Sequence, residues 1–170
     1  MELVSEFDFI LWLVESYSRL HGNLNLWEKQ ELFSAYAKGE DEFIRALRAV
    51  FGTKLNAAIV DASNRTVDFC KDYDVSITSK SSENEIIVNM ILVADINKIG
   101  QRLSMLADKY FPSIRDVCST NANLCNNYAK KAQQETTAKL NTFCTNDFPK
   151  LYFIDYIFLY SFLLIILAQS

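Results

Sequence analysis

The sequence predicts an all-α fold, an irregular bundle of about five to six helices followed by a hydrophobic C-terminal helix. Three observations carry this. Apolar residues recur every three to four positions along most of the chain, the spacing that puts them on one helix face. Only four Gly and two Pro are present, too few for the many tight turns of an all-β domain, which need positive or fixed φ. Asn25 with Glu28, and Ser82 with Glu85, have capping-box spacing just before two such stripes, where a side chain on each residue satisfies an amide near the other.

The elements follow in order. A first helix runs from Glu2 to Leu20 with Phe7, Ile10, Leu11, Val14 and Tyr17 on one face, and ends at His21-Gly22. The Asn25 cap opens a second helix that runs to about Lys38 and stops at Gly39. A third extends from Asp41 to Phe51 with Phe43, Leu47 and Val50 inward, and the Glu40-Asp41-Glu42 cluster at its start complements the helix dipole without implying catalysis. Gly52 kinks or breaks the run, and a fourth helix carries Leu55, Ile59, Ala62, Phe69 and Tyr73. The Ser- and Thr-rich stretch from Ser76 to Ser82 reads as the longest loop.

From the Ser82 cap a fifth helix reaches Tyr110, with Ile86, Met90, Val93, Asn97, Gly100, Leu103 and Leu106 inward, and Phe111-Pro112 ends it. The stretch from Glu85 to Val93 is rich in β-branched residues but lacks the period-2 alternation of a strand. Ser113 opens a last soluble helix with Val117, Cys118, Leu124, Cys125, Tyr128, Leu140 and Phe143 inward. Its middle, from Ala129 to Lys139, is polar almost all round and is expected to project from the bundle.

Composition changes abruptly near Pro149, dividing the chain into a helical domain, residues 1–148, and a hydrophobic segment, residues 149–170. From Leu151 to Ala168 only Asp155 and Ser161 interrupt apolar or aromatic residues. As a helix this stretch spans roughly 27 Å, just short of the ~30 Å hydrocarbon core of a bilayer. Lys150, Lys139, Lys131 and Lys130 precede it, which favours a tail anchor with the main domain in the cytosol. A core helix apolar on all sides, or translation of an AT-rich non-coding stretch, accounts for the same residues. The acidic N-terminus, with Glu2, Glu6 and Asp8, is unlike the basic n-region of a secretory signal.

The net charge of −4, from 17 Lys and Arg against 21 Asp and Glu, argues against nucleic acid as a partner, because phosphates must be neutralised in numbers. Cys70, Cys118, Cys125 and Cys144 have spacings unlike paired zinc motifs, and His21 is the single His. No metal or cofactor is expected. Cys118 and Cys125 share a helix face about 10 Å apart along the axis, too far to bond to each other. The four cysteines therefore read as buried thiols or as two disulfides with partners elsewhere.

Asn64-Arg65-Thr66 is a glycosylation sequon, relevant if the domain reaches the secretory lumen. Asp68, Asp72 and Asp74 lack the Gly and closing Glu of a Ca²⁺ loop. His21 beside Gly22 reads as a helix cap, no nucleophile motif accompanies it, and the scattered glycines form no phosphate cradle. No catalytic residue is assigned and a non-enzymatic protein is expected.

Helices followed by an apolar tail resemble the layout of tail-anchored apoptosis regulators. That family's Asn-Trp-Gly-Arg signature is absent, with Ile99-Gly100-Gln101-Arg102 the nearest approach, so membership does not follow. The expected function is a protein-interaction domain held at a membrane through Leu151 to Ala168. The alternative is a helical carrier that encloses a lipid or other small hydrophobic ligand, with secretion as the alternative localisation.

Overall fold

The computed structural model describes residues 6–76, 82–144, 161, 163–165 and 167–168. The described residues form six helices: α1 (Glu6–Leu20), α2 (Leu26–Lys38), α3 (Glu40–Phe51), α4 (Leu55–Ser76), α5 (Glu83–Tyr110) and α6 (Arg115–Cys144). Short 3₁₀ turns at Gly52–Lys54 and Pro112–Ile114 join α3 to α4 and α5 to α6. No strand occurs among the described residues, and Glu85 to Val93 is the first part of α5. The chain is all-α, as its periodicity predicts. The start of the first predicted helix, most of the Ser76 to Ser82 loop and most of the segment 149–170 lie outside the described residues.

Local chemistry sets the helix ends. Asn25 accepts a hydrogen bond from the Glu28 amide at 2.8 Å, and Glu28 accepts one from the Asn25 amide at 3.0 Å. Ser82 and Glu85 repeat this reciprocal pairing at α5, which satisfies amides that have no partner inside the helix. Gly39, at φ 132°, both ends α2 and precedes α3. Gly52, at φ 53°, breaks the run rather than kinking it, and a 3₁₀ turn separates α3 from α4.

Cross-helix contacts fix the topology. Trp12 meets Phe69, Ser16 meets Arg65 and Arg19 meets Asp61, so α1 runs antiparallel to α4. Thr66 lies beside Gly100 and Cys70 beside the Val93 carbonyl, which makes α4 and α5 antiparallel. Asn56 pairs with Ser113, Ser63 with Asn121 and Thr66 with Cys125, which makes α4 and α6 parallel. The end of α5 is tied to α3 through Lys109 to Glu40 and Tyr110 to Asp41. One continuous apolar core, including Phe9, Leu13, Phe43, Leu47, Ile59 and Leu103, threads these helices.

Two predicted faces are rotated. In α1 the buried residues are Phe9, Ile10, Leu13, Val14 and Tyr17, whereas Phe7 is 57% exposed and Leu11 is also exposed. The run from Phe9 to Val14 is apolar on every side, so spacing alone does not fix which side turns inward. The Trp12 and Ser16 contacts to α4 decide it. In α6, Val117 and Leu124 face solvent, while Cys118, Ala122, Cys125, Ala132, Thr136 and Leu140 are buried. The stretch from Ala129 to Lys139 therefore does not project. Its small residues allow close helix approach, and a polar sequence hides a narrow stripe of Ala and Thr that packs.

Candidate functional site

The described residues of the C-terminal apolar segment border a concavity between α5 and α6. Residues 161, 163–165 and 167–168 are helical, and Ser161, Leu164, Ile165 and Ala168 face the groove between α5 and α6. Their spacing of three, four and seven is that of one helix face. Ala168 is buried, whereas Leu163 and Leu167, on the other side, are 46% and 54% exposed. No helix among the described residues is long and apolar enough to cross a membrane.

Between this segment and the α5–α6 floor lies a cavity of about 670 Å³, within the ~300 to 1,000 Å³ range of small-molecule sites. Met90, Ile91 and Ala94 from α5, Ala129 from α6, and Leu164 and Ile165 from the segment give it apolar walls. Polar groups interrupt the floor: Asn97, Lys98, Gln101 and Arg102 from α5, and Asn126 and Lys130 from α6. Gln101 is fixed by donating to Asn97 Oδ1 at 3.2 Å and to the Ala122 carbonyl at 2.9 Å, which locks α5 to α6 beneath the cavity.

Among the described residues, the charged side chains that line the cavity are Lys98, Arg102 and Lys130. Burial pushes the Lys98 ammonium and the Arg102 guanidinium below their ordinary values, with Asp95 partly offsetting the shift at Lys98. Arg102 donates to the Tyr36 hydroxyl at 3.3 Å and its guanidinium carbon lies 5.5 Å from the centre of the Phe9 ring. With Met105 it also borders a second cavity of about 310 Å³, walled by Phe9, Tyr36 and Phe43. Arg102 thus stands where the two spaces meet.

One turn of α5 before Lys98, the Asp95 carboxyl is raised to about 6, chiefly by burial, with Lys98 opposing and Asp8 reinforcing the shift. Its Oδ1 is buried without a hydrogen-bond partner. The signal for Asp95 in the sequence is a carboxylate between Val93 and Ile96, on the packed side of an amphipathic stripe.

The cysteines separate into different settings. Cys70 and Cys125 come together across α4 and α6, and Cys125 donates to Thr66 Oγ1 at 3.2 Å while Cys70 points to the Val93 carbonyl at 3.9 Å. The hydrogen bond with Cys125, and burial, push the Cys70 thiol up. Cys125 is lowered by its contact with Cys70, with Thr66 adding to the effect. Cys118 sits apart near Ser63, raised by burial. All three are free thiols in this structure, and the Cys144 side chain lies outside the described residues.

Asn64 is exposed within α4, and its Oδ1 accepts from Asn121 Nδ2 at 2.8 Å, while Thr66 of the same sequon is buried and donates to the Ser63 carbonyl at 2.6 Å. His21 ends α1, its amide donating to the Tyr17 carbonyl at 3.0 Å and its ring lying edge-on to Tyr17. Among the described residues no three His, Cys, Asp or Glu side chains converge as a set of metal ligands. No protein family, curated protein or solved structure matches the chain.

Proposed function

We propose that the protein is a non-enzymatic helical carrier that holds a small hydrophobic ligand between α5, α6 and the C-terminal apolar segment. The observation that carries this reading is the cavity of about 670 Å³ with Met90, Ile91, Leu164 and Ile165 in its walls. Ligand sites are commonly concave, mostly apolar and furnished with a few placed polar groups, and helix bundles build them between facing helices. Met side chains suit such a site because they adapt to irregular ligand shapes.

Native mass spectrometry of the full chain, purified from its source without detergent, tests the proposal. A co-purifying amphiphile supports it. Failure to retain or take up any of a panel of lipids, with the fold intact by circular dichroism, overturns it.

A second reading, an interaction domain held at a membrane by Leu151 to Ala168, draws on the outward apolar residues Leu163 and Leu167. On that reading, cutting before Pro149 frees a soluble, folded helical domain, and the full chain sediments with membranes. If the segment is instead an integral roof, the truncated chain exposes the apolar floor and aggregates.

A further inference from the structure

We propose that Cys70 and Cys125 form a disulfide site: with a low-molecular-weight disulfide as oxidant, the two thiols join and cross-link α4 to α6 in the core, leaving Cys118 free. The proposal is independent of the carrier reading.

The first ground is register. Helices α4 and α6 run parallel, and Cys118 lies beside Ser63 as Cys125 lies beside Cys70. Cys70 follows Ser63 by seven positions and Cys125 follows Cys118 by seven, so two turns of one helix match two turns of the other. Cys125 stands between Thr66 and Cys70, which are one turn apart on α4. Its thiol donates to Thr66 Oγ1 at 3.2 Å and interacts with the Cys70 thiol. Parallel helices in fixed register thus hold two sulfurs against each other from distant parts of the chain.

The second ground is the choice of partner. Cys118 is two turns from Cys125 on the same helix, roughly 10 Å along the axis, whereas a disulfide needs α-carbons within about 7 Å. Cys144 ends α6, and the same rise per residue puts it roughly 28 Å from Cys125 along the axis. Cys118 faces the Ser63 hydroxyl rather than a sulfur. Of the other three cysteines, Cys70 is the one within reach of Cys125.

The third ground is the surroundings. Gly100 of α5 lies against the pair, and a Cβ there would stand 3.6 Å from Cys125 Sγ. With only hydrogen at that position, Cys125 can turn its sulfur from Thr66 toward Cys70 without meeting a side chain there. Oxidation removes both S–H donors, which are weak ones. The acceptors they leave are the Thr66 hydroxyl, which still donates to the Ser63 carbonyl, and the Val93 carbonyl inside α5. Closing the bond therefore leaves no strong donor unsatisfied.

The chemistry is thiol–disulfide exchange. One cysteine thiolate attacks a sulfur of the oxidant, forming a mixed disulfide and releasing one small thiolate. The second cysteine thiolate attacks the protein sulfur of that mixed disulfide, closing the Cys70–Cys125 bond and expelling the other small thiolate. The two protons lost by the cysteines pass through solvent to those thiolates, so two protein thiols are oxidised while the oxidant is reduced to two thiols. Both side chains are fully buried, so exchange occurs before the chain has folded or when it opens. An oxidising compartment supplies the reagent.

The test holds the full chain in a buffer of reduced and oxidised glutathione, in urea just below its unfolding midpoint, until its composition stops changing. The native form predominates there and opens often enough for buried thiols to react. Acid quenching, alkylation and peptide mapping are expected to show a Cys70–Cys125 cross-link, about 2 Da lighter than the two separate thiol peptides, with Cys118 alkylated. The cross-linked protein should have a higher urea midpoint than the reduced one, because the bond closes a loop of about 55 residues in the unfolded chain. In full denaturant the same buffer should favour Cys118–Cys125, which closes the shortest loop. Cys118→Ser with Cys144→Ser, which retains only the proposed pair, should still form the cross-link. A different pairing in the native buffer overturns the assignment. So do Cys70 and Cys125 that remain thiols, or stop at glutathione adducts, while circular dichroism shows the native helix content. Cys70–Cys125 favoured equally in full denaturant shows that the fold does not select the pair, and a cross-link that lowers the urea midpoint shows that the fold does not accommodate it; either result overturns the site.

Discussion

The Arg65 guanidinium lies over the Trp12 ring, 4.1 Å from its centre. The same group donates to the Trp12 carbonyl at 2.9 Å, to Ser16 Oγ at 2.6 Å and to Glu15 Oε2 at 2.7 Å, while the Trp12 indole donates to the Ala62 carbonyl at 2.9 Å. Two side chains thus clasp α1 to α4. The central residue of the glycosylation sequon is the one that performs this structural task.

Replacing Arg65 by Ala removes the stacking and leaves the buried Ser16 hydroxyl without this partner. The expected loss of stability is roughly 2–3 kcal/mol, read as a lower urea midpoint. Lys at the same position restores a charge but not the planar fork, so Arg65→Lys should recover less than half of it. An unchanged midpoint in Arg65→Ala would show that the clasp is ornamental.

Gly100 lets three helices meet. A Cβ there would approach Thr66 Oγ1 to 3.3 Å and Cys125 Sγ to 3.6 Å, and Thr66 has little room to retreat because its hydroxyl is bound to the Ser63 carbonyl. Gly100→Ala gains about 1 kcal/mol of helix propensity but incurs overpacking of ~1–3 kcal/mol, for a net destabilisation of about 1 kcal/mol. In a Thr66→Ala background the same change should become stabilising, a sign reversal that a double-mutant cycle detects.

Asp95 makes stability depend on pH in the direction opposite to most carboxylates. Its folded value, about 6, lies above the ordinary 3.8 because burial disfavours the charged form. The folded state therefore binds the proton more tightly than the unfolded chain, and this contribution to stability is full below about pH 4 and is lost as pH rises through about 6. Asp95→Asn should raise stability at pH 7 by on the order of 1 kcal/mol after allowance for solvent screening. Thermal melts of the two proteins at pH 4 and pH 7 should converge at the acidic end; a constant offset would assign the effect to something other than ionisation.

Cys70, Cys118 and Cys125 are buried and unpaired by disulfide, so a thiol reagent should leave all three unmodified in the folded protein and label them on unfolding. Mass mapping after alkylation under native and denaturing conditions reads this directly. If Cys70 and Cys125 resist alkylation even when unfolded unless a reductant is added, the protein from that source carries them as a disulfide.

Helix number and most helix ends follow from local signals: the Asn25–Glu28 and Ser82–Glu85 capping boxes, Gly39, and Phe111-Pro112 are all where the sequence places them. Such features depend on residues within a turn of one another, so they can be read along the chain. Inward faces were less readable where a run is apolar on every side, as in α1, or polar with small residues, as in α6. Which side is buried then depends on a partner helix that is distant in sequence.

The candidate site illustrates the same division. The apolar character of Leu151 to Ala168 and the cations at positions 98, 102 and 130 are present in the sequence, but nothing local relates them. Only the antiparallel packing of α5 on α6, fixed by contacts such as Gly100 with Cys125 and Gln101 with Ala122, sets Lys98, Arg102 and Lys130 around one space. The inward stripe of Ser161, Leu164, Ile165 and Ala168 then roofs it. By itself the sequence determined that these residues form helices and where those helices stop, because hydrogen bonding and capping act over a few residues. The pairing of Cys70 with Cys125, the clasp of Trp12 by Arg65 and the cavity itself were decided by tertiary structure, because burial joins groups that the chain keeps tens of residues apart.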